Sequence, residues 1–205
     1  MADEGFKAFE ATLKKSVAAF REAQVPTLLG GSLAIWARGG PETRHDLDFM
    51  VRPEDADRAL QALVDVGMKP ETPPEGWLYK AWDGEILVDI IFQPRGLVMD
   101  DDVFERAETR EVMAIGVALM ALEDVFATKL LALDEHNCDY AALLLRARSL
   151  REQIDWDHLR DRTEDWPFAR AFFVLAEGLG IVQPQETTVS LESDDTGRAR
   201  VRVVE

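Results

Sequence analysis

Three aspartates stand where carboxylates are conspicuous. Asp46 and Asp48 flank Leu47 in Asp46-Leu47-Asp48-Phe49-Met50-Val51, a stretch that predicts a strand. Alternate side chains of a strand share a face, so the two carboxylates stand together and repel each other. A divalent cation relieves that repulsion, and Mg2+ typically takes one or two carboxylates plus substrate phosphates. The third, Asp89, interrupts the apolar run Ile86-Leu87-Val88-Asp89-Ile90-Ile91-Phe92. Such a run predicts an interior strand buried on both faces, where an unpartnered carboxylate is costly. Either an arginine or a turn neutralises Asp89, or it is a third metal carboxylate.

Other residues suit anions. An apolar run over 25–29 stops at Gly30-Gly31-Ser32. Two glycines admit positive φ and close approach of a ligand to the backbone. Ser32 is the expected N-cap of a helix over 33–38, and N–H groups at such a turn suit an anion. Gly39-Gly40-Pro41 ends that helix. Lys129 falls on the apolar face of an expected helix over 122–133, beside Val125 and Phe126. It either snorkels to solvent or reaches a triphosphate. His45 adjoins the aspartate pair, as a loop histidine or a phosphate contact.

The elements that position these residues read in order. Phe6, Phe9, Leu13, Val17 and Phe20 predict an amphipathic helix over 5–22. Arg52-Pro53 opens another helix, which Gly67 ends. Residues 68–76 read as a loop or poor edge strand, because Pro70, Pro73 and Pro74 interrupt them. Residues 77–82 and 85–92 read as a hairpin turning at Asp83-Gly84. A short helix over 100–106 and one strand-like stretch over 109–120 follow. Helices are expected over 122–133, 139–153, 155–166 and 168–180, with Asp139 as an N-cap. The tail from Gln183 is polar and reads either as mobile or as a small hairpin around Asp194-Asp195-Thr196-Gly197.

The chain has 205 residues, 47% of them hydrophobic, which suits an ordinary globular protein. A single cysteine, Cys138, leaves no internal disulfide and no cysteine-rich zinc site. No apolar signal core and no run near the ~18 residues of a membrane span stand out, so a cytoplasmic location without membrane partners is expected. A formal charge of −16 disfavours non-specific binding to nucleic acid or membranes. Walker A and His-Glu-x-x-His sequences are absent.

Gly30-Gly31-Ser32, a short helix and then Asp46-Leu47-Asp48 together resemble the signature of the polymerase-beta-like nucleotidyltransferase superfamily. The resemblance implies an α/β fold with a mixed sheet and a C-terminal helical region: residues 5–118 as the nucleotidyltransferase domain, 119–182 as the helical region and 183–205 as the tail. It implies transfer of an NMP from an NTP to an acceptor hydroxyl, with Mg2+ or Mn2+ on Asp46, Asp48 and Asp89. Gly30, Gly31, Ser32 and Lys129 would contact the nucleotide. The pattern Glu123-Asp124 followed by Lys129 resembles helices of AbiEii/MenT-type nucleotidyltransferases, which adds Asp124 to the nucleotide site. That type implies a tRNA 3′ end as acceptor and an antitoxin partner. Aminoglycoside- or lincosamide-type antibiotic transfer, and a non-catalytic nucleotide-binding module, are the alternatives. Six arginines over 146–170 (Arg146, Arg148, Arg151, Arg160, Arg162, Arg170) are the candidate RNA surface.

Overall fold

The computed structural model describes residues 2–43, 46–71, 73–74, 76–184, 188–193 and 199–204, the last two segments and residues 2–3 by backbone alone. His45 lies outside them.

Helix α1 (Ala2–Glu22) starts three residues before the expected helix, and Phe9, Leu13, Val17 and Phe20 form its buried stripe. Strand β1 (Leu28–Leu29) leads into helix α2 (Gly31–Trp36), and strand β2 (Asp46–Met50) follows. The expected helix after Arg52 begins as a 3-10 turn (Pro53–Asp55) and continues as α3 (Ala56–Asp65). Strands β3 (Lys69–Glu71), β4 (Leu78–Asp83) and β5 (Ile86–Ile91) follow, then helix α4 (Asp101–Glu105), β6 (Glu108–Val112) and β7 (Ile115–Leu119). These strands form one mixed sheet in the order β3-β4-β5-β2-β1-β7-β6.

Two details depart from the sequence reading. The β4–β5 turn is Gly84-Glu85, inside the Asp83↔Ile86 pair, with Gly84 at φ +65. Asp83 instead ties the hairpin to α1, accepting from Thr12 Oγ1 at 2.9 Å and Lys15 Nζ at 2.8 Å. The stretch over 109–120 is two strands rather than one. It reverses at Met113-Ala114, where both residues take positive φ (50 and 61). Hairpin turns of this kind favour Asn-Gly, so nothing in Met-Ala announces the reversal.

Strand alternation divides the core. Leu29, Leu47, Phe49, Ala81, Val88 and Ile90 pack with α1 and α3 on one face of the sheet. Leu28, Met50, Leu78 and Ile91 pack on the other with Ile35, Val103 and the C-terminal helices. Those helices are α5 (Leu122–Leu131), α6 (Tyr140–Leu150), α7 (Trp156–Asp161) and α8 (Pro167–Gly178). Asp139 and Asp155 cap α6 and α7, accepting from Ala142 N and His158 N at 3.0 Å each. Thr188–Ser193 (β8) and Ala199–Val204 (β9) pair antiparallel, the hairpin alternative for the tail, with 194–198 outside the described residues.

Candidate active site

The second sheet face carries the site where the helices leave it open. β2 and β5 run parallel with Asp48 paired to Asp89, and Asp46 stands two residues before Asp48 on the same face. Asp46, Asp48 and Asp89 each bring one carboxylate oxygen within 4.8 Å of the others.

The glycine turn closes on this group from behind. Gly30 N donates to the Asp48 carbonyl at 2.8 Å. Gly31 takes φ +56, and a Cβ there would stand 1.6 Å from Asp48 Oδ2. Only glycine fits, for its backbone and for the carboxylate lying on it. The backbone N–H of Ser32 donates to the Asp48 carboxylate. Ser32 is not the N-cap that the sequence suggested. Gly30 takes that position, without a side-chain cap, and the helix starts two residues earlier than expected, at Gly31.

Burial, and next the charge of Asp46, push the Asp48 carboxyl from its ordinary 3.8 to about 6, against the pull of Lys129 and the Ser32 N–H. Burial and then Asp48 push Asp89 to about 7, against the pull of Lys80 and with smaller pushes from Asp46 and Glu71. Asp89 Oδ1 is buried with no hydrogen-bond partner. Three converging carboxylates, two of them raised well above the carboxylate range, and an orphaned buried oxygen are a donor set that fits a hard divalent cation.

Lys129 projects from α5 toward this group and is half-buried. Burial lowers its pKa, Asp48 and Asp46 oppose that, and the charge of Arg146 on α6 adds to it. Asp124 goes elsewhere. It is fully buried, with oxygens held by Arg106 Nη2 at 3.1 Å and Arg162 Nη1 at 2.5 Å. Five residues along a helix turn roughly 140° away, so Asp124 and Lys129 cannot share a face. The structure therefore does not bring Asp124, expected at the nucleotide, to the aspartate group.

Sequence reasoning missed two basic residues near the site. Lys80 pairs with Asp89 across β4–β5, and Arg146 adjoins Lys129. The alternation Leu78-x-Lys80-x-Trp82 held the signal for Lys80, but only the pairing register shows which face it shares.

The fold is that of nucleotidyltransferases. The antibiotic-resistance factor ANT(2″)-Ia, solved with adenylyl-2″-tobramycin, is similar with a TM-score of 0.55 and 15% identity, over 81% of this chain and 97% of that one. The lincosamide antibiotic adenylyltransferase LnuA, solved with lincomycin bound, gives a TM-score of 0.44 and 14% identity over 62% of this chain and 87% of that one. Comparison with curated protein sequences finds no significant match. No helix among the described residues is long and apolar enough to cross a membrane. A family model described as uncharacterised nucleotidyltransferase matches residues 7–179, and the chain belongs to that family of enzymes.

Proposed function

We propose that this enzyme transfers an NMP from an NTP to a hydroxyl of a small-molecule acceptor, with Mg2+ or Mn2+ on Asp46, Asp48 and Asp89. The observation that carries this reading is the convergence of those three carboxylates, one with an orphaned buried oxygen, beside the half-buried Lys129. When bound, the divalent ions activate the attacking oxygen and stabilise the pyrophosphate leaving group of an in-line displacement. Asp89 completes the carboxylate set and would help take the proton of the acceptor hydroxyl. Gly31 and Ser32 position the β- and γ-phosphates, and Lys129 neutralises them. In this division residues 5–118 hold the carboxylates and 119–182 supply the lysine.

A small acceptor suits the charge better than the rival reading, a tRNA 3′ end modified by an AbiEii/MenT-type toxin with an antitoxin partner. The chain carries −16, and most of the candidate RNA arginines have protein partners. Arg151 pairs with Glu152, Arg160 with Glu177 and Arg162 with Asp124, and Arg170 donates to the Glu164 carbonyl. The solved ANT(2″)-Ia carries a small-molecule product on the same fold.

The test incubates the protein with each radiolabelled NTP and Mg2+, with total RNA in one arm and a low-mass metabolite extract in the other. Label in a low-mass product is the expected result. Label confined to RNA overturns the small-molecule acceptor, and no label in either arm overturns transfer.

A further inference from the structure

Strand pairing continues the site sideways across the sheet. One row of directly paired residues reads Asp48–Asp89–Lys80–Glu71 through β2, β5, β4 and β3. The neighbouring row on the same face reads Asp46–Leu87–Trp82–Lys69. The C-terminal helices pack over the next row, Met50–Ile91–Leu78. Beyond it Leu87 and Trp82 are half-buried and Glu71 is exposed, so an apolar and aromatic strip runs from the aspartates to the sheet edge.

Two features at the outer end point to a ligand. Trp82 Nε1 donates to Glu71 Oε2 at 2.8 Å, which fixes the carboxylate beside the indole. Lys80 lies between Glu71 and Asp89, and its ammonium has no hydrogen bond or ion pair among the described residues. A fixed, exposed carboxylate at an indole edge recognises a protonated amine by a charge-assisted hydrogen bond, while the indole face is left for the rings of the same ligand. The two rows together set four carboxylates, Asp46, Asp48, Asp89 and Glu71, against the two ammoniums of Lys80 and Lys69, so on balance they repel phosphates. Cations on the aspartates would not change this at Glu71. Two strand spacings separate it from Asp89, roughly 10 Å, too far to share a metal.

We propose that this strip is the acceptor subsite and that the acceptor is a multi-ring alcohol bearing an amine, its rings over Leu87 and Trp82 and its amine on Glu71. The role as acceptor subsite rests on the nucleotidyl-transfer reading. The span of roughly 10 Å is longer than one sugar ring, so the reacting hydroxyl and the amine belong to different rings.

Calorimetry tests this with a β-linked glucosamine dimer, its N-acetylated counterpart and the glucosamine monomer, in mildly acidic buffer. The wild type is expected to bind the dimer at least about tenfold more tightly than either control, the size of one charge-assisted contact. Glu71→Gln keeps an acceptor for the Trp82 N–H and is expected to remove that preference. Trp82→Leu is expected to weaken both dimers, and Trp82→Phe to weaken them less. MgATP affinity is expected to stay within about twofold in all variants, since none touches the aspartates. Equal binding of the two dimers, no binding of either, or an unchanged preference in Glu71→Gln overturns the subsite. Failure of the wild type to bind any of the four MgNTPs instead overturns the transfer reading, whatever the dimers do.

Discussion

The molecule treats two sets of half- or fully buried carboxylates in opposite ways. Asp124 is fully buried, and two guanidinium groups hold both its oxygens. Asp46, Asp48 and Asp89 converge with one ammonium on each flank, Lys129 and Lys80, and with an oxygen of Asp89 left unbonded. The first arrangement is complete within the protein. The second has its charge unbalanced and its carboxylates already brought together, an arrangement that suits a cation. Conspicuous carboxylates in a sequence therefore say little until their partners are known.

The contrast is tested most strongly by neutralising one member of each set. Asp48→Asn is expected to lower nucleotide transfer by about 10²–10³-fold or more, since it removes a group acting on the developing charge. In metal-free buffer the same change should leave the melting temperature unchanged or raise it, because repulsion is relieved. Asp124→Ala should do the reverse. It strands Arg106 and Arg162 beside a cavity, at about 3–5 kcal/mol. A chain of this size should then melt roughly 6–20 °C lower. Retained transfer in Asp48→Asn, or an unchanged melting point in Asp124→Ala, would break the comparison.

A smaller effect is expected at Lys129, which the helical region points at the aspartates. Lys129→Met keeps the packing of the stem and removes the charge. NTP affinity should fall by about 1.5–3 kcal/mol, the worth of a charge-assisted hydrogen bond. Titration of MgNTP into both proteins measures it, and equal affinities would make Lys129 a snorkelling lysine.

What the sequence disclosed about these places follows from the range of the forces involved. Asp46 and Asp48 could be put on one face because strand alternation is local, and Gly31 could be singled out because a positive φ leaves its mark in residue type. The joining of Asp89 to Asp48, and of Lys80 and Glu71 to both, depends on register between strands distant in the chain. Periodicity carries no such information. The reversal at Met113-Ala114 was hidden for another reason: neither residue favours the conformation, so tertiary packing imposes it. Asp124 is the instructive case, held by Arg106 and Arg162. A motif suggested a shared role with Lys129, although helix geometry already placed the two on different faces.

The smallest expected effect concerns pH. Asp48 and Asp89 bind protons more tightly in the folded chain than their ordinary 3.8, with values of about 6 and about 7. Their protonated forms favour the fold, so that contribution is full below pH ~4 and is lost as pH rises through ~6–7. Asp83 works in the opposite sense. Burial raises it, but hydrogen bonds from Lys15 and Thr12 outweigh that and hold it below the ordinary value. Its contribution is lost only on acidification below the ordinary range, so the two windows do not overlap. In a chelator the melting temperature should therefore fall between pH ~4 and ~7, by about 1–2 kcal/mol after solvent screening, or roughly 2–8 °C. Saturating Mg2+ should flatten the upper part of that slope, because the cation replaces the protons. Asp89→Asn should flatten it without metal, whereas Asp83→Asn should leave it in place. A chelated protein whose melting point held steady across this window would mean that solvent already relieves the aspartates, and the contrast with Asp124 would lose its physical basis.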